Sequence, residues 1–137
     1  MTSLDLAWSL LTKAEVRLDV LDFLFGKAAY SDVVREAQEA VELALKGMLR
    51  SAGIEPPKYH DVGPILLEHS DRFPDISSED LRKAAGISKK LRKEREFAFY
   101  GEIDFIPTEE YTAENAREAM EGARFVVAVV RKAVPFP

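Results

Sequence analysis

A chain of 137 residues, 47% hydrophobic and 31% charged with a net charge of −5, has the size and composition of one folded domain spanning residues 1–137. It contains no cysteine, which excludes disulfides, thiolate metal sites and a cysteine nucleophile, and no run near the roughly 20 apolar residues that cross a bilayer. The start, Met1-Thr2-Ser3-Leu4-Asp5, lacks the basic opening of a signal peptide, so the sequence reads as soluble and cytoplasmic with no membrane partner.

Thr2 followed by Asp5 has capping-box spacing, and Leu4, Ala7, Leu11, Ala14, Leu18, Leu21 and Phe25 recur on one face, predicting a long first helix punctuated by Gly26 and Lys27. A second helix is predicted over about 30–52, with Val34, Ala37, Val41, Leu45, Met48 and Ala52 on its apolar side. Gly53 supplies the left-handed stop and Pro56-Pro57 prevents continuation. A short helix over about 61–70 turns Val62, Ile65 and Leu66 inward, with Pro64 tolerated in the first turn, and Phe73-Pro74 ends it. Ser77 and Asp80 open a further helix that gives out near Gly101. The last is predicted over about 109–134, with Ala113, Ala116, Met120, Ala123, Val127, Val130 and Val134 as its seam. The expected fold class is therefore all-α, an antiparallel bundle of four long helices plus one short one.

Charge is segregated along this framework. Residues 82–95 hold seven cations and one acid, a local +6, which leaves −11 for the rest of the chain. An anionic partner meets this stretch first, although a solvated helix face is the plain reading for most of its lysines. At about 100° per residue, Leu81, Ala84, Ala85, Ser88 and Leu91 form the buried stripe. Arg82, Lys83, Lys89, Lys90 and Lys93 fall away from it, whereas Arg92 and Arg95 fall inside it. Arginine is seldom buried without an acceptor, so these two either pair with carboxylates or face a cleft whose ligand supplies the anion. On the second helix Gln38, Glu42 and Lys46 form a row at four-residue steps, with Gln38 inside the apolar arc and Glu42 at its edge. Glu42 is placed to receive Arg92 or Arg95, or simply pairs with Lys46.

Other chemistry is poorly supplied. A di-metal carboxylate site needs Glu-x-x-His on two helices, and neither His60 nor His69 has an acid three residues before it. Nucleophile elbows, Gly-rich phosphate loops and zinc-ligand spacing do not occur, so no metal and no cofactor is expected. His69 reads as a core or boundary residue. His60, flanked by Tyr59 and Asp61 ahead of a helix start, reads as a cap or a site residue.

Three blocks carry a family resemblance: the second-helix run from Ala37 to Leu49 with its Gly53 stop, Pro57-Lys58-Tyr59-His60-Asp61, and Arg95-Glu96-Phe97-Ala98-Phe99-Tyr100-Gly101. Together they resemble the HEPN domain family over nearly the whole chain. The resemblance implies an all-α bundle that commonly forms a homodimer, with Arg95 near the dimer cleft. Its members include metal-independent ribonucleases, toxins partnered by minimal nucleotidyltransferases, and nucleotide- or RNA-binding modules. The ribonuclease members carry an arginine, an adjacent polar residue and a histidine four to six residues beyond. Here Arg95 and Glu96 match, but 97–104 holds no histidine and Tyr100 takes the early slot. A phenol with an ordinary pKa of about 10 is a poor base at neutral pH, where imidazole at about 6.5 is a good one. The expected function is thus a nucleotide- or RNA-binding module with little or no catalysis, its cleft formed by Arg92, Arg95, Glu96, Tyr100, Glu42, Lys46 and His60. A ribonuclease toxin with a nucleotidyltransferase partner, in which His60 serves as base, and a helical protein-interaction module are the alternatives.

Overall fold

The computed structural model describes residues 2–58, 61–99 and 106–134, with side chains at all of these except 95–99 and 109. The chain runs α1 (Ser3–Gly26), α2 (Tyr30–Ser51), α3 (Gly63–Glu68), a 3₁₀ turn (Ser70–Arg72), α4 (Ser78–Phe99), α5 (Pro107–Glu110) and α6 (Ala113–Ala133). It is an all-α bundle in which four helices are long, and no strand occurs among the described residues.

The helix ends follow from local chemistry. Thr2 and Asp5 form the reciprocal capping box that starts α1. Gly53, at φ +75°, is the left-handed residue past α2, and Pro64 lies in the first turn of α3. Ser77 Oγ accepts from the Asp80 amide at 3.1 Å at the start of α4. Helix α1 ends at Gly26 with Lys27 as its C-cap, as the sequence indicated, the left-handed residue of the α1–α2 turn is Ala28, φ 56°, and the Ala29 amide bonds back to the Leu24 carbonyl at 3.0 Å. One expectation needs correction. The last helix does not begin at 109 but at Ala113. Thr112 caps it with Asn115 in a second capping box, and the four-residue α5 precedes it.

Interhelical contacts give the direction of each pair. Ser3 Oγ donates to the Arg50 carbonyl at 2.6 Å and the Ala7 carbonyl lies over Gly47, so α1 and α2 are antiparallel. Glu15 pairs with Arg131 at 2.5 Å and Asp22 with Arg124, which makes α1 and α6 antiparallel too. Lys90 meets Glu118 and Ile87 meets Gly122, so α4 also opposes α6, and therefore α2. The central helix is α2, packed against α1, α4 and α6. Its Val33, Val41, Leu45, Met48 and Leu49 are fully buried together with Leu11, Leu21, Leu81, Val126 and Val130 from the surrounding helices. Each such side chain contributes about 1.5–3 kcal/mol of transfer free energy. The predicted α4 stripe is correct at every position: Leu81, Ala84, Ala85, Ser88 and Leu91 are all buried.

Candidate functional site

Burying that stripe forces the cations of α4 outward. Arg82, Lys83, Lys89, Lys90 and Lys93 are exposed, and Arg92 is half-buried, as its place inside the wheel arc requires. The five exposed cations divide into two groups. Lys90 is tied to Glu118 of α6, and the Lys83 ammonium sits 4.1 Å from the centre of the Phe125 ring. Arg82, Lys89 and Lys93 make no side-chain bond or ion pair among the described residues. At spacings of seven and four residues they share one stripe with the exposed Gly86. At a rise of about 1.5 Å per residue the row is roughly 16 Å long, a ladder of cations along one face.

The second-helix row is also formed. Glu42 accepts from Gln38 Nε2 at 2.8 Å through one oxygen and from Lys46 Nζ at 2.8 Å through the other. Gln38 is buried at 4% exposure, and its Oε1 has no hydrogen-bond partner among the described residues. Glu42 and Lys46 are half-buried, so their attraction is less screened than in a fully exposed pair. Asp61, the described end of the Tyr59-His60-Asp61 block, accepts from the Gly63 amide at 3.1 Å and from Ser88 Oγ at 3.3 Å. It thereby takes the first amide of α3 and ties that helix to α4 one turn before Arg92. His69 is half-buried, in keeping with a boundary role.

Arg95 and Glu96 lie on the backbone of the last turns of α4, and their side chains fall outside the described residues. Tyr100 and His60 fall outside them altogether, as does the 135–137 tail. The structure therefore brings together Gln38, Glu42 and Lys46 on α2 and sets Arg92 on α4.

One feature escaped the sequence reading. Between α2, α4, α5 and α6 lies a cavity of about 300 Å³ whose mouth holds Glu94, Glu110 and Tyr111. The Tyr111 hydroxyl donates to Glu94 Oε2 at 2.7 Å. Burial, and next the hydrogen bond to the Glu94 carboxylate, push the Tyr111 phenol well above its ordinary range. With residues 109–134 read as one helix, Tyr111 fell on a helix face. The missed signal was Thr112 followed by Asn115, which caps a new helix and leaves Tyr111 in the extended link before it.

Among the described residues, no group of three or more His, Asp or Glu side chains could hold a metal ion, and no helix is long and apolar enough to cross a membrane. No curated protein matches the chain. The family model for the HEPN domain matches residues 7–133, from the first buried alanine of α1 to the last residue of α6. With the all-α bundle and the blocks on α2 and α4, that match places the chain in the HEPN domain family.

Proposed function

We propose that this HEPN domain binds RNA or a nucleotide by its phosphates along α4 and cleaves RNA weakly or not at all. The observation that carries the reading is the row Arg82, Lys89 and Lys93. It consists of three exposed cations on one stripe, without carboxylate partners among the described residues, in a chain of net charge −5. A row of exposed cations along one helix face is suited to a polyanion. In this reading the row draws the polyanion to α4, Arg95 and Arg92, on the opposite side of that helix, hold a phosphate in the cleft, and Tyr100 stacks on a base. Glu96, Glu42, Lys46 and His60 border the cleft. The weak or absent catalysis rests on Tyr100, which stands where ribonuclease members of the family carry histidine.

We further place two copies together so that their Arg95 residues approach one cleft, the arrangement the family resemblance implies. Light scattering at micromolar concentration should then give twice the 15.4 kDa chain mass, and a monomer would count against it.

Fluorescence anisotropy with a labelled single-stranded RNA tests the binding claim. Replacing Arg82, Lys89 and Lys93 together by glutamine should weaken binding strongly while the helical circular dichroism and melting temperature stay near wild type. Equal RNA affinity in the triple variant would remove the α4 row from the site.

A further inference from the structure

The cavity beside Tyr111 has a different character from the α4 row. Its floor is apolar: Val34 of α2, Ile87 and Leu91 of α4, and Ala119 and Gly122 of α6. Gly122 matters to its shape, because an added Cβ there would meet Ile87 Cγ2 at 3.0 Å, so α4 and α6 close tightly at that level. The mouth is acidic, with Glu94, Glu110 and Glu118 against the single ammonium of Lys90. Lys90 is already engaged by Glu118, and Tyr111 occupies one oxygen of Glu94. The second oxygen of Glu94 and the whole carboxylate of Glu110 have no partner among the described residues.

We propose that this cavity is a binding site for a small organic amine, a primary ammonium group carried on an apolar aryl or alkyl body. A volume of about 300 Å³ lies at the small end of ligand sites. The apolar body fits the floor, where it removes aliphatic surface from water. The ammonium meets the open acceptors of Glu94 and Glu110, and the Tyr111 ring in the lining adds attraction for a cation. The carboxylates of Glu94 and Glu110 at the mouth favour a positive charge over a negative one. For the same reason the cavity disfavours phosphate, so it is separate from the proposed RNA surface and does not depend on it.

The test is a proton–nitrogen correlation NMR titration of the full chain with 2-phenylethylammonium chloride, with 3-phenylpropionate as the anionic counterpart. The amine should give saturable shifts, at millimolar concentration or below, concentrated at the amides of Glu94, Glu110, Tyr111, Ala119 and Gly122. Phenylpropionate should leave those amides in place. Glu110→Gln removes a charge whose side chain makes no bond within the described structure, so it should leave the spectrum native and weaken the amine about two- to fivefold. Shifts elsewhere only, equal response to the anion, or undiminished amine binding by Glu110→Gln would each overturn the proposal. Failure of RNA binding to the α4 row would leave it untouched.

Discussion

Two glycines inside long helices separate backbone preference from packing. Gly86 of α4 is exposed, and a Cβ added there has nothing within 4 Å, whereas a Cβ on Gly47 of α2 would sit 3.1 Å from the Ala7 carbonyl oxygen and 3.3 Å from Leu10 Cβ. Replacing a mid-helix glycine by alanine gains about 0.8–1.0 kcal/mol of helix propensity at either position. At Gly86 nothing opposes that gain, so Gly86→Ala should raise the melting temperature by about 4 °C for a domain of this size. At Gly47 the obstructing atom is backbone, which cannot rotate away, and overpacking of this kind costs about 1–3 kcal/mol. The net effect of Gly47→Ala should lie between neutral and a loss of about 2 kcal/mol. Thermal and urea unfolding followed by circular dichroism measures both. If Gly47→Ala stabilised the protein as much as Gly86→Ala, the close α1–α2 approach would be refuted.

Tyr111→Phe removes the hydroxyl that bonds Glu94 and should cost about 1 kcal/mol at neutral pH. The folded-state pKa of Tyr111 is raised, so its stabilisation is complete below the unfolded value of about 10 and is lost as pH rises beyond it. The stability difference between wild type and Tyr111→Phe should therefore shrink above pH 10, and a constant difference across that range would contradict the bond. Tyr100→His should raise RNA cleavage in the presence of a chelator above the wild-type background, because it restores a base near neutral pKa. Brisk cleavage by the wild type under the same conditions would overturn the weakly catalytic reading.

Much of the architecture was readable because each long helix buries one regular stripe. The α4 stripe of Leu81, Ala84, Ala85, Ser88 and Leu91 is buried at every position, and Gln38 is buried where the wheel put it. Boundaries were harder where two signals compete. Gly26 and Lys27 marked the end of α1, but no local signal singled out Ala28 as the left-handed residue of the turn that follows. The α5–α6 break was hidden because no glycine or proline stands at Tyr111 and Thr112, and only the Thr112–Asn115 cap marks it. The ion-pair partner of Lys46 followed from four-residue spacing. The pairing of Lys90 with Glu118 joins residues 28 apart in sequence and no local pattern carries it. The cavity is likewise a product of tertiary packing, since its floor comes from three helices. For the site, Arg92, Glu42 and Lys46 occupy the positions on α4 and α2 that their spacing indicated, while Arg95, Glu96, Tyr100 and His60 stand as proposals resting on the motif.

The salt dependence of RNA binding tests the central claim most directly. Each phosphate neutralised on a single strand contributes about −0.7 to the slope of log affinity against log salt concentration, so three cations account for a slope of about −2. Between 50 and 200 mM salt, those three contacts alone should cost wild type about 20-fold in affinity. The triple variant of Arg82, Lys89 and Lys93 to glutamine should show a slope shallower by about 2. Parallel slopes in wild type and variant would mean that the row touches no phosphate, and would contradict the proposed function.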